Sequence, residues 1–329
     1  MKKLIIKKGH NIKISGSPNF ESVASISPKL ISISPTSFRG VKPKLLVDIG
    51  DTVKIGSPLF YDKTKPKIKF SSPVAGEVSN IKFGLRRVIE NIEITINGND
   101  SIINQSLDGK ELINITRDEA LHFILESNLF HFFRERPFNQ IPDPDEIPRD
   151  IFISGYDTSP LSLDLAKVIS DNQKLFQMGL SLVSKLTPGK TYFSCKSKFN
   201  FKDVENVMVD GPHPAGNVGI QIHHIKPLNP NEFVWTISPQ HVLMLGKLID
   251  KGTFDPEILV SVGGSGATAP YIARTIIGVP VFNLIENQNL NQKNIRLVSG
   301  DVLTGNTVSE KGYIGFYDTT LSLINNMVD

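Results

Sequence analysis

The run Leu129-Phe-His-Phe-Phe-Arg-Glu-Arg-Pro-Phe138 places five aromatic or imidazole rings and two arginines within ten residues. Rings stack on a flat ligand and guanidinium groups donate to its oxygens, so this composition could line a pocket through stacking and cation–π contact. The alternative is a structural anchor, with the rings packing a loop onto its own domain. The candidate ligand-facing residues here are Phe132, Phe133, Arg134, Arg136 and Phe138. A second segment, Asp210-Gly-Pro-His-Pro-Ala-Gly216, adds His213, an imidazole held in a proline–glycine turn and able to titrate or to hydrogen-bond a ligand.

Other chemistry-bearing residues point to less. Four of the seven histidines, His213, His223, His224 and His241, fall between 213 and 241. A metal site needs imidazole or carboxylate partners at helical or hairpin spacing, and adjacent His223 and His224, read as strand residues, point to opposite faces. Neither a metal site nor a catalytic residue is assigned. Gly263-Gly-Ser-Gly-Ala-Thr-Ala-Pro270 follows an apolar strand pattern but lacks the Lys-Ser/Thr of a phosphate-binding loop, so it reads as a sharp turn between strand and helix. Ser154-Gly-Tyr-Asp-Thr-Ser159 also follows a strand pattern, without the Gly-x-Gly-x-x-Gly that brings backbone amides to a pyrophosphate. Cys195 is the single cysteine, which excludes a disulfide within the chain and a cluster or zinc ribbon ligated by its thiols alone. It lies in the apolar run Thr191-Tyr-Phe-Ser-Cys195 and reads as a buried, inert thiol.

These residues must be positioned by an α+β arrangement of several domains. In residues 1–99, Val47-Asp-Ile-Gly-Asp-Thr-Val and Pro73-Val-Ala-Gly-Glu-Val alternate apolar residues around glycine turns. That is the pattern of a biotinyl/lipoyl-like barrel-sandwich. Its hairpin carries Lys63, Lys65 and Lys67 outside the sequence context that modifying enzymes read. They fit a solvated basic face for docking a partner, with a carrier module bearing lipoyl or biotin as the alternative. Residues 100–256 open a helix with the capping-box spacing Thr116-Arg-Asp-Glu119 and then alternate strand and helix patterns, with strands near 150–154, 190–195 and 205–209 and helices near 162–170, 173–186 and 239–250. This is a Rossmann-like α/β domain. Residues 257–311 read as a soluble-ligand-binding (SLBB-type) β-grasp domain, and 312–329 as the start of a further C-terminal region.

Composition narrows the function. The chain of 329 residues carries 36 basic and 33 acidic side chains in interspersed order, for a formal net charge of +3. That balance argues against a dedicated nucleic-acid binder. No apolar run is long enough for a transmembrane helix and the N-terminus lacks a signal-peptide core, so a soluble or peripheral cytosolic chain is expected.

Ser72-Pro-Val-Ala-Gly76, Arg134-Glu-Arg-Pro-Phe138, Gly155-Tyr-Asp-Thr-Ser-Pro160, Gly211-Pro-His-Pro-Ala-Gly216 and Val234-Trp-Thr-Ile237 together resemble the A subunit of the sodium-translocating NADH:quinone reductases of bacteria. The resemblance spans essentially the whole chain and includes the order of the three domains. It implies a peripheral subunit on the cytoplasmic face of the inner membrane, partnered by the five other subunits of a complex that passes electrons from NADH to ubiquinone and exports Na+. It also implies that flavins, iron–sulfur centres and the NADH site lie on those partners, that this chain holds no tightly bound cofactor, and that ubiquinone is its possible ligand, facing the candidate residues above. A cofactor-free protein binding a quinone-like molecule is the runner-up. Gln221 departs from the family pattern, which places a histidine there.

Overall fold

The computed structural model describes residues 2–104, 109–288 and 295–326. Apolar alternation builds the first unit. Ile92 and Ile94 of the strand Ile89–Gly98 and Val78 and Ile81 of Ala75–Phe83 turn inward, while Ser79 and Asn80 face solvent and Glu93 is half-buried. These two strands lie with Leu30–Ile33 and Thr52–Val53 in a four-stranded sheet, ordered 30–33, 89–98, 75–83, 52–53. A separate three-stranded sheet of Pro43–Leu45, Pro58–Asp62 and Lys65–Ser71 completes the sandwich, and among the described residues no strand pairing closes the two into a barrel. The Gly-Asp turn requires a left-handed residue, and Gly50 supplies it at φ 94°. Phe60 and Phe70 stack with ring centroids 4.3 Å apart in the core.

The second unit carries a six-stranded sheet ordered Lys2–Ile5, Glu205–Asp210, Thr191–Cys195, Ile151–Ser154, Val234–Thr236, Arg134–Arg136. All pairings are parallel except that of 134–136, which runs antiparallel to 234–236 at the edge. Such strands are buried on both faces and read as continuous apolar runs. Ile151, Ile153 and Phe193 point into the main core, while Phe152 and Tyr192 point into a second cluster with Val209 and Ile222. The helices Leu165–Ser170, Gln173–Ser184 and Pro239–Lys251 fall where the 3.6-residue period places them. Val218–Ile225 corrects the expectation for His223 and His224: it is a helix, and both imidazoles are exposed on its last turn. Val218, Ile220 and Ile222 alternate like a strand, but packing against the sheet decides the conformation.

A third sheet is ordered Asn306–Thr307, Ile295–Ser299, Thr320–Asn325, Glu257–Gly263, Tyr271–Ile276, Val23–Ser25. The glycine-rich 263–270 segment is therefore the loop of a β-hairpin, because 257–263 pairs antiparallel with 271–276 and no helix follows it. The sheets also cross the linear boundaries read from sequence. Strand 2–5 pairs with 205–210, strand 23–25 pairs with 271–276, and 320–325, expected to open a further region, sits inside the third sheet with Leu321 and Leu323 fully buried.

Two glycines set the spacing of the helices 173–184 and 239–251. A Cβ on Gly179 would meet the Val242 carbonyl, and one on Gly246 the Leu175 carbonyl, so each helix presses its backbone against the other. Alanine at 246 gains about 1 kcal/mol of helix propensity, but clash with a backbone oxygen forces the helices apart at a cost of about 1–3 kcal/mol or more. Gly246→Ala should lower the free energy of urea unfolding by up to about 2 kcal/mol net. Gly219→Ala, in a helix with nothing within 4 Å of the new Cβ, should raise it by about 0.5–1 kcal/mol. A stabilised Gly246→Ala variant would show that the contact is not tight.

Candidate functional site

The order 205–210, 191–195, 151–154, 234–236 means that the chain builds outward from 151–154 in one direction, then crosses back to add 234–236 on its other side. At such a switch point the loops leaving adjacent strands diverge and open a crevice at their carboxyl ends. The structure has a cavity of roughly 270 Å³ there. Ser154, Tyr156 and Asp157 line it from one strand end, and Thr236, Ile237 and Ser238 from the other. Arg134 and Arg136 of the edge strand, Phe132, His241 and Tyr317 form the remaining wall. A second cavity of roughly 690 Å³ shares Arg134, Arg136, Ser159, Asn217, Val218 and Tyr317 with the first and extends to His213, Asp301 and Asp318. The two form one cleft between the α/β layer and the third sheet.

Local hydrogen bonds hold its rim. Thr158 Oγ1 lies 3.1 Å from His213 Nδ1 and accepts from Gly216 N at 3.0 Å, joining the 154–160 and 211–216 loops. Asn11 Oδ1 accepts from His213 N at 2.9 Å. Gln221 donates to Ser154 Oγ at 2.8 Å and to the Ala215 carbonyl at 3.0 Å and accepts from Ser194 Oγ, so at this departure from the family histidine the amide stitches two strands to the loop. Ser238 caps its helix by accepting from His241 N.

Behind the cleft lies a continuous group of rings. His241 stacks on Phe132 at 4.2 Å and 4°. His131 packs on Phe70 at 5.1 Å and on Phe316 at 5.0 Å. The Arg134 guanidinium sits 4.4 Å from the Tyr317 ring centroid, and Tyr317 donates to the His131 carbonyl at 2.8 Å. Burial holds both imidazoles neutral, each pushed down to about 3. Burial likewise disfavours the charge on Arg134 and Arg136, and the repulsion of Arg134 helps to push Arg136 down to about 10.

Three segments match described families in chain order: the NqrA N-terminal barrel-sandwich hybrid domain over 4–97, the NqrA second alpha/beta domain over 115–254, and the NQRA C-terminal domain over 259–310. The chain is 34% identical over 328 residues to the A subunit of the Na(+)-translocating NADH-quinone reductase of Neisseria meningitidis serogroup A, a match covering 97% of this chain and 72% of that one. The chain belongs to the A-subunit family of these reductases. The Marinomonas relative is 33% identical over 97% of this chain and 72% of its own, and that of Vibrio alginolyticus 32% over 98% and 73%. Among solved structures, an NAD+-reducing [NiFe]-hydrogenase aligns over 70% of this chain and 53% of its own at 12% identity and a TM-score of 0.45, a likeness that carries no functional argument.

Of the residues singled out in sequence, Phe132, Arg134, Arg136 and His213 line the cleft of this family member. Phe133 does not: it is fully buried against Trp235. Phe138 is 62% exposed and lines neither cavity. The aromatic run is thus mostly an anchor, with its arginines facing the cleft. On the hairpin, Lys67 pairs with Asp145 at 2.6 Å and Lys65 approaches Asp143 at 3.9 Å, so of the three lysines singled out Lys63 has no ion pair among the described residues, as is also true of Lys69 farther along the strand. Cys195 is buried, its thiol pushed up to about 11 by desolvation. Among the described residues no cluster of histidine, cysteine and carboxylate side chains could hold a metal, and no helix is long and apolar enough to cross a membrane. Asn217 and Tyr317 escaped the sequence reading, and Tyr156, Asp157 and His241 were named in it without being assigned to a site. For Tyr156 and Asp157 the signal was that Ser154-Gly-Tyr-Asp follows the first strand of the layer, where a switch point opens.

The neutral imidazoles make stability depend on pH. Each folded value, about 3, lies below the unfolded 6.5, so the unfolded chain binds the proton first. This stability is complete above pH 6.5 and is lost as pH falls toward 3, at about 1.4 kcal/mol per pH unit for each imidazole. Asp157 and Asp318, held high by desolvation, act in the opposite sense. The test therefore compares the slope of unfolding free energy between pH 6.5 and 5 in the parent and in His131→Phe/His241→Phe. A flatter slope is expected in the variant, and equal slopes would mean the imidazoles are accessible to protons.

Proposed function

We propose that the chain serves as the peripheral A subunit of a Na(+)-translocating NADH:quinone reductase, on the cytoplasmic face of the bacterial inner membrane, taking part in the quinone-reduction half of electron transfer. Family membership over nearly the whole chain supports the assembly, and the cleft supports the role. In this reading the flavins, iron–sulfur centres and NADH site belong to the five partner subunits, since a lone buried thiol cannot ligate a cluster. The carrier-module reading is not favoured, because the family is that of a reductase component and two hairpin lysines already face carboxylates.

The observation that carries the quinone reading is the pair of arginines in a cleft with an apolar wall. In this reading a quinone ring lies against Ile237 and Tyr317, with Phe132 packed behind them, and turns its carbonyl oxygens toward Arg134 and Arg136. Guanidinium donors hold a carbonyl oxygen and favour the negative charge that grows on it during reduction. The electrons come from partner subunits, and the chain supplies orientation and a partly dry environment. Lys63, unpaired on the hairpin, is the basic contact offered to an acidic partner surface.

Titration of the purified chain with a short-chain ubiquinone tests the reading. Arg134→Gln and Arg136→Gln should each weaken binding about 2- to 10-fold, the worth of one hydrogen bond, while Phe138→Ala leaves it unchanged. Full affinity in both arginine variants would place quinone elsewhere.

A further inference from the structure

Arg134 and Arg136 stand two apart on one strand, so their side chains leave the same face. Glu135 between them turns the other way, is buried, and accepts from Gln140 at 3.1 Å. The arginine ion pairs among the described residues belong to Arg117, Arg149 and Arg274, and neither cleft arginine has one. Arg136 Nε is buried with no hydrogen-bond partner. Two like charges are thus held close together in a partly desolvated cleft, an arrangement whose cost rises steeply as water is removed.

The carboxylates sharing the cleft accept hydrogen bonds from their own loops and none pairs directly with an arginine among the described residues, although Asp318 lies near enough to Arg134 to favour its charge. Asp157 accepts from Ser159 N at 2.8 Å, Asp318 from Ser299 Oγ at 2.7 Å, and Asp301 from Leu303 N at 2.7 Å and Thr304 Oγ1 at 2.6 Å. The same cleft meets the first turn of the helix 218–225, whose N-cap Asn217 makes no side-chain cap bond; Ile220 N already donates to the Asn217 carbonyl at 3.0 Å, so only the Val218 and Gly219 amides of that turn are left to a ligand.

We propose that Arg134 and Arg136 form a binding site for the phosphate group of a small phosphate monoester. A monoester carries about −1.5 to −2 charges at pH 7 and accepts forked hydrogen bonds from two guanidinium groups, whereas a carboxylate would neutralise only one of them. The apolar wall of the smaller lobe then takes a planar ring attached to the ester. This inference goes beyond the quinone reading, which needs no charge on the ligand.

The test uses the full chain at constant ionic strength in chloride buffer, with inorganic phosphate, phenyl phosphate and benzoate as probes. Calorimetry should show saturable binding of phosphate, tighter binding of phenyl phosphate, and much weaker binding of benzoate. Arg134→Gln and Arg136→Gln should each weaken phenyl phosphate at least about tenfold, and Arg136→Lys less, because the charge remains while the fork is lost. Should a variant fail to fold, 31P line broadening of phenyl phosphate by the parent chain, reversed by excess inorganic phosphate, reads the same site without substitution. Three results overturn the proposal: no saturable phosphate binding, full affinity in both Gln variants, or benzoate binding as tightly as phenyl phosphate. Quinone titration with and without phosphate separates the two readings. If phosphate does not bind while quinone affinity still depends on the arginines, this inference falls and the quinone reading stands.

Discussion

The structure depends on one buried seam of rings contributed by all three units. Phe38, Phe60 and Phe70 come from the sandwich, His131 and Phe132 from the connector, His241 from the α/β layer, and Phe316 and Tyr317 from the segment that leads back into the third sheet. Each good ring pair is worth about 0.5–1.5 kcal/mol beyond the area it buries, and edge and face contacts constrain angle as well as distance. The seam therefore fixes how the units meet as well as adding stability. It also demands uncharged imidazoles, since a protonated ring here would be a buried charge with no carboxylate partner.

Where the seam ends, the cleft begins. The polypeptide passes from Phe132, packed behind the cleft wall, and Phe133, sealed in the core, directly to Arg134 on the edge strand, so the anchoring of the rings dictates where the guanidinium groups emerge. Tyr317 links the two regions: its ring lies under Arg134 and its hydroxyl donates to the His131 carbonyl. A change in the seam would reach the cleft through these contacts without touching a ligand.

The local devices were legible in sequence because each is set by near neighbours. The Gly50 turn, the Thr116–Glu119 capping box and the amphipathic helices 173–184 and 239–251 follow from residue type and period. The helix 218–225 was not legible, since Gly219 and the alternating Val218, Ile220 and Ile222 imitate a strand until a sheet lies beneath them. The glycine-rich 263–270 loop imitates a strand–helix turn for the same reason: its partner strand 271–276 is chosen by pairing, not by the loop.

By itself the sequence determined the class of each unit, the buried state of Cys195 and the presence of two arginines directly after a run of rings. Composition, turn chemistry and hydrophobic period are local and survive in a linear reading. Tertiary structure alone decided that strands 2–5 and 23–25 leave the N-terminal unit for distant sheets, and that 320–325 completes the third. It also decided that Lys65 and Lys67 face the chain's own Asp143 and Asp145, and that Phe133 is sealed away while Arg134 and Arg136 meet Tyr317 and Asn217 across one cleft. Each of these joins residues far apart in the chain. Such pairings are selected by the burial and hydrogen bonding of the whole fold, which no window of neighbouring residues encodes.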